Sequence, residues 1–279
     1  MQHDGLDLAV RDYGGSGPPI LLIHGAGQTL ADWSAMATHL TERHRVVAMD
    51  LRNHGRSGSG PWTWDAALGD VAAVVDHFRL ERPAVVGHSL GGMLAAIYGE
   101  RVADCRAAVN LDGHGLGTPD QYPGLDPHVV RERQQQIIDA ALAPLAAEMG
   151  RTADGGLVAI EEGILVSRPS ADSWSEILTK VRELDLVALY RRVRCPLLIY
   201  RTELLTDPVP NEEESPEPWM GEMTAAYRKG LRRDLANLEV EHQHVTVQTV
   251  DATHMLILEL PGRLAEEIST FVLTGSLRD

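Results

Sequence analysis

The sequence predicts an α/β protein: a mostly parallel sheet flanked by helices, with a helical cap inserted into it. Three observations carry this reading. Short β-prone runs alternate with amphipathic helical stretches through the first half of the chain. The runs Ile20–Ile23, Val46–Met49 and Ala84–Val86 are continuously apolar, as strands covered on both faces must be. From Leu116 to about Asp185 helical segments persist without a convincing strand, and the strand pattern resumes at Pro196. The expected organisation is therefore a core from residues 1–115 and 186–279, interrupted by a cap at 116–185.

In chain order, Leu6 to Arg11 alternates like an early antiparallel strand, and Gly14 to Pro19 makes a turn. The strand Ile20–Ile23 ends in His24-Gly25-Ala26-Gly27. A helix from Thr29 to Leu40 puts Leu30, Trp33, Ala37 and Leu40 on one face. Val46–Met49 leads into Asp50-Leu51-Arg52-Asn53-His54-Gly55-Arg56-Ser57, and a helix is expected over Trp64–Phe78. Ala84–Val86 runs into Gly87-His88-Ser89-Leu90-Gly91-Gly92, followed at once by a small-residue helix from Met93. Arg106–Leu111 is the next strand and ends at Asp112-Gly113. In the cap, a helix over His128–Met149 is expected to be interrupted at Pro144. Ser173-Trp174-Ser175-Glu176 has the spacing of a capping box. Pro196–Tyr200 returns to the sheet, the acidic, proline-rich stretch from Asp207 to Pro218 reads as a mobile loop, His244–Val250 is the last strand and Pro261–Leu273 the closing helix.

The chain has 279 residues, 25 basic and 40 acidic side chains, and a formal net charge of −15. Such a charge repels phosphate backbones, and no Lys/Arg cluster offsets it, which argues against nucleic acid as partner. The same charge leads us to expect neutral substrates to be preferred over strongly anionic ones. No apolar run approaches the roughly 18 residues of a membrane span, and the first residues lack the basic and apolar regions of a signal peptide. Cys105 and Cys195 are too few for a disulfide framework and read as inert buried thiols, so a cytoplasmic protein is expected.

Gly87-His88-Ser89-Leu90-Gly91 is a G-x-S-x-G motif set between a buried strand and a helix. That is the context of a nucleophile elbow, where a sharp turn lifts the serine Oγ above the sheet. The backbone N–H after the serine and the helix N-terminus then face a developing oxyanion. His88 reads as a packing residue of the elbow. A serine nucleophile needs a base. Among 12 histidines, His254 stands at the C-terminal end of the last strand, where α/β sheets assemble their sites. His39, His44, His77 and His128 read as solvated, and His242 with His244 lacks a third metal ligand.

With these motifs in this order, the chain resembles the α/β-hydrolase superfamily over essentially its full length: His24-Gly25, Asp50 through Gly55-Arg56-Ser57, the Ser89 elbow, and His254 followed by Glu259-Leu260-Pro261. The resemblance implies an eight-stranded, mostly parallel sheet with a cap over the serine. It also implies an oxyanion hole from the backbone N–H groups of Ala26 and Leu90. Arg52-Asn53-His54 is expected to hold its own loop rather than to bind substrate. Such enzymes commonly carry the triad acid in a Gly-x-x-Asp after the strand that follows the cap. Here that stretch is Tyr200-Arg201-Thr202-Glu203-Leu204-Leu205-Thr206-Asp207, without the glycine. The other known placement is one strand earlier, where Asp112 stands, as in zearalenone-lactonase-like and haloalkane-dehalogenase-like hydrolases. Asp112 is favoured, with Asp207 and Glu203 as alternatives. The implied activity is hydrolysis of a carboxylic ester or lactone of a small to medium, fairly apolar molecule through a Ser89 acyl intermediate. No metal or organic cofactor is implied. A thioesterase, carbon–carbon bond hydrolase or perhydrolase could use the same residues, as could a small-molecule receptor. Oligomeric state is left open.

Overall fold

The structure is a computed structural model that describes residues 1–148, 157–161, 164–203 and 218–277. The chain opens with β1 (Gln2–His3) and β2 (Leu6–Asp7), which pair with each other, then β3 (Val10–Gly14) and β4 (Ile20–Ile23). A 3₁₀ turn at Leu30–Trp33, capped by Thr29, leads into α1 (Ser34–Leu40). There follow β5 (Val46–Met49), α2 (Trp64–His77), β6 (Ala84–His88), α3 (Leu90–Arg101) and β7 (Ala107–Leu111). Between β7 and the next sheet strand lie α4 (Pro127–Glu148), the pair β8 (Leu157–Glu161) and β9 (Ile164–Arg168), α5 (Ala171–Glu183) and α6 (Leu186–Tyr190). The chain then runs through β10 (Leu197–Thr202), α7 (Pro218–Glu241), β11 (Val245–Val250), α8 (Leu256–Glu259) and α9 (Pro261–Thr274).

The main sheet has seven strands in the order β11-β10-β7-β6-β4-β5-β3, all parallel except the edge strand β3, which runs antiparallel to β5. Alternate residues of each strand feed the two faces. Leu21, Ile23, Val47, Met49 and Val85 pack with α2, α3 and α6 on one side. Ile20, Leu22, Val46, Ala48, Ala84 and Val86 pack with α1 and α9 on the other. Burial on both sides is why these strands read as unbroken apolar runs.

Six expectations are corrected among the described residues. The sheet has seven strands rather than eight, because the N-terminal residues pair locally: Gln2 opposes Asp7 and His3 opposes Leu6. The run Leu6–Arg11 is accordingly split between β2 and β3. The stretch 116–185, expected to hold no strand, does contain β8 and β9, in register from Leu157 opposite Arg168 to Glu161 opposite Ile164. Their β-branched residues favour that pairing. α4 continues through Pro144 to Glu148. α5 is capped by Ser170, whose hydroxyl accepts from Ser173 N, while Glu176 accepts from Trp62 N, 2.7 Å away, instead of closing a box on Ser173. His44 is buried rather than solvated, its ring held between Pro18 O and the Ser269 hydroxyl. The segment expected as a loop from Asp207 to Pro218 lies, up to residue 217, outside the described residues.

Candidate active site

β6 delivers the serine and α3 begins on the residue after it. Ser89 has φ 51° and ψ −116°, a conformation that costs a side-chain-bearing residue on the order of 1–3 kcal/mol and persists only where the surroundings impose it. The surroundings here are backbone. Ser89 N donates to Leu111 O at 2.9 Å, and Ser89 O accepts from Gly92 N at 2.9 Å. The flanking glycines are sterically required: a Cβ at Gly87 would lie 2.0 Å from Gly91 O, and one at Gly91 would lie 2.2 Å from Ile23 O.

His254 lies between β11 and α8, and its Nδ1 donates to Asp112 Oδ2 at 2.8 Å. Asp112 follows β7 with φ 55°. Asn110 holds that turn, its amide N donating to Gly113 O at 2.8 Å and its amide O accepting from Gly113 N at 2.7 Å. The Asp112 carboxylate also accepts from Thr202 N and Thr202 Oγ1, each at 2.9 Å. Burial raises the pKa of Asp112, but the bond from His254, the neighbouring His114 and the Thr202 N–H outweigh it, and the carboxyl sits below its ordinary value. Asp112 is therefore an anion pointed at the imidazole.

The two alternative acids fare differently. Glu203 is exposed and pairs with Arg201 at 3.1 Å and Arg232 at 3.6 Å, so it is not brought to His254. Asp207 lies outside the described residues.

The neighbouring histidines are held neutral. His88 is buried beneath the elbow, with Nε2 donating to His254 O at 2.7 Å and the Gln28 side-chain amide 2.6 Å from Nδ1. Burial pushes its pKa down to about 4. His88 thus fixes the backbone that carries His254. His114, also lowered by burial, donates from Nε2 to Tyr200 O at 3.0 Å. On the opposite side, His24 Nε2 accepts from Leu51 N, and Asp50 accepts from Leu30 N and Arg56 N. Arg52 grips Asp70 through two bonds of 2.6 and 2.8 Å, both side chains buried, so this loop is held from within as its sequence suggests.

Ser89, Asp112 and His254 line one cavity of about 580 Å³, together with Ala26 and Leu90. α5 contributes Trp174, Ile177, Leu178 and Val181 to its wall. A wall element that the strand-and-elbow pattern does not reveal is α7, which supplies Thr224, Tyr227, Arg228 and Leu231. Its signal in the sequence is a separate helical period, with Met223, Leu231, Leu235 and Leu238 all buried. Arg201, at the end of β10, also lines the cavity. A second hollow of about 280 Å³, lined by Met1, Leu8, Asp50 and Arg56 among others, holds none of the residues of the elbow.

Comparison with known proteins agrees with this architecture. A family model described as "Alpha/beta hydrolase family" matches residues 20–267. The chain is 37% identical over 142 residues to "Lipase LipV" of Mycobacterium tuberculosis, covering 50% of this chain and 49% of the lipase. It thus spans about half the length of that relative. It is 31% identical over 219 residues to "Non-heme haloperoxidase" of Rhodococcus erythropolis, covering 70% of this chain and 77% of that protein. Among solved structures, the enol-lactonase from Burkholderia xenovorans superposes with a TM-score of 0.62 at 21% identity, covering 97% of this chain and 98% of the other. At that identity the match speaks for the fold alone.

Proposed function

The chain belongs to the alpha/beta hydrolase family, and on that premise we propose that it hydrolyses a carboxylic ester or lactone through a covalent Ser89 acyl intermediate. Ser89 Oγ attacks the carbonyl carbon while His254 takes its proton, and Asp112 holds the imidazole in the tautomer that leaves the other nitrogen free to do so. The N–H groups of Ala26 and Leu90 receive the tetrahedral oxyanion. As the intermediate collapses, His254 returns the proton to the leaving oxygen. Water then attacks the acyl carbon while His254 takes its proton, and as this second intermediate collapses His254 returns the proton to Ser89 Oγ and the acid leaves. Every step uses named side chains, backbone N–H groups and water, so the mechanism calls on no metal or organic cofactor.

The observation that carries this reading is the 2.8 Å contact between His254 Nδ1 and a triply hydrogen-bonded Asp112, in a cavity shared with the elbow serine. Residues 116–185, through α5, act in this reading as the cap, and α7 completes it. A cavity of this size with a largely aliphatic and aromatic wall suits a small to medium substrate.

The test is a fluorophosphonate label together with a panel of aryl esters, lactones and acyl thioesters. We expect one label on Ser89, and Ser89→Ala should lose it and lower kcat by roughly 10⁶. Retention of more than about a tenth of the activity would remove the serine mechanism. A second reading is favoured by names among the relatives, the haloperoxidase and a "Bifunctional esterase/perhydrolase DCH" of Acinetobacter calcoaceticus that is 39% identical over 102 residues, 34% of this chain and 36% of that protein. In it hydrogen peroxide replaces water in deacylation and a peracid leaves. Peracid formation from an ester and peroxide, abolished by Ser89→Ala, is its signature.

A further inference from the structure

We propose that the cavity beside Ser89 takes an amphipathic substrate whose non-reacting end carries a carboxylate, held by Arg228, with Arg201 a second cation in the same wall. The inference rests on the hydrolase reading above and narrows its substrate class. It also reverses the expectation drawn from net charge. The chain as a whole carries −15, but charges beyond a Debye length of about 8–10 Å are screened, so a bound molecule responds to the charges that line its own cavity.

The lining carries one carboxylate, Asp112, and two guanidinium groups, Arg201 and Arg228. The charge of Asp112 is already engaged by His254 and by both donors of Thr202. Arg201 is held in place through Nη2, which donates to Glu203 Oε1 at 3.1 Å and to Thr249 Oγ1 at 3.0 Å, while only 11% of its side chain is exposed. Arg228 differs: it is half-buried on α7, and its guanidinium makes no ion pair or hydrogen bond with any described residue. A guanidinium in a concave wall offers a fork of N–H donors that fits a carboxylate edge-on, and the low-dielectric wall strengthens the attraction. The same cavity has apolar lining in Trp174, Ile177, Leu178 and Leu231. His114 is held neutral by burial and adds no charge. The chemistry that matches this surface is an apolar chain or ring ending in one anionic group.

The experiment uses Ser89→Ala, which is expected to bind an ester without cleaving it. Two ligands are titrated calorimetrically: the monoaryl ester of a straight-chain C8 dicarboxylic acid with its far carboxylate free, and the same ester with that carboxylate as a primary amide. The expected result is about tenfold or tighter binding of the carboxylate, weakening as salt is raised. Adding Arg228→Gln should reduce the preference below about threefold, and Arg228→Lys should restore part of it by returning the charge. In the enzyme with Ser89 intact, the same loss should fall on KM for the carboxylate ester. The proposal is overturned if the amide binds as well as the carboxylate, if no carboxylate binding is measurable, or if the preference survives Arg228→Gln. Cleavage of either ester by Ser89→Ala would instead strike the hydrolase mechanism, and the affinity ratio would still decide the anion site.

Discussion

Asp112 accepts from Thr202 N, Thr202 Oγ1 and His254 Nδ1 while holding a left-handed backbone. An amide in its place keeps the shape but favours the wrong imidazole tautomer. We therefore expect Asp112→Asn to lower kcat by about 10⁴. Glu203→Gln removes only a surface pairing with Arg201 and Arg232 and should cost less than about tenfold in kcat. Asp207→Asn should also fall within about tenfold, since a carboxylate already occupies the imidazole. Steady-state kinetics on variants shown to be folded separate the three. The candidate site residues were legible as positions: Ser89 and His254 stand at strand ends, and the glycine missing before Asp207 directed the choice of a proposed acid to Asp112. Arg228 was not legible, because its meaning depends on which cavity α7 faces, and no local pattern contains that.

The strand-to-helix elbow is legible because its geometry leaves few residue choices. A Cβ at Gly91 would meet the carbonyl of Ile23 at 2.2 Å, and backbone cannot move aside as a flexible side chain can. Gly91→Ala should therefore fail to accumulate as folded protein, whereas an alanine at Gly221, which has open space around it, should be tolerated. Soluble yield and circular dichroism decide this. The loop after β5 depends on a buried ion pair, with Arg52 and Asp70 at 3% and 0% exposure. Asp70→Asn leaves a buried guanidinium uncompensated and should cost about 3–5 kcal/mol in urea unfolding. The elements least legible were those whose local signals conflict. Pro144 argues for a break in α4, yet a proline removes one backbone bond and the rest of the helix continues to Glu148. In β8 and β9 the strand signal is short and sits inside a helical neighbourhood.

Across the whole molecule, the acid response follows from buried neutral histidines. His44, His88 and His114 all have pKa values lowered chiefly by burial, that of His88 to about 4. The unfolded chain binds protons from about pH 6.5, while the folded chain resists them until lower pH. Stability is therefore full above about pH 6.5 and falls as pH drops toward the folded pKa values. His88 alone accounts for about 3 kcal/mol between pH 6.5 and 4. Asp112 is depressed in the other sense for an acid: its contribution holds above about pH 4 and is lost only as pH falls through its lowered folded value. Urea midpoints should thus fall clearly from pH 7 to pH 5, and an unchanged midpoint would contradict the buried, neutral assignment. The parallel sheet was readable from runs apolar on both faces, but its strand count was not, because pairing of Gln2 with Asp7 is a local choice the apolar pattern does not encode. The proposed reaction passes through an ester on Ser89. It is tested most directly by rapid acid quench during turnover of an activated ester, followed by peptide mass analysis. The acyl mass is expected on the peptide containing Ser89 and should be absent in Ser89→Ala. Turnover with no adduct on that peptide, or with the acyl group on another residue, would contradict it.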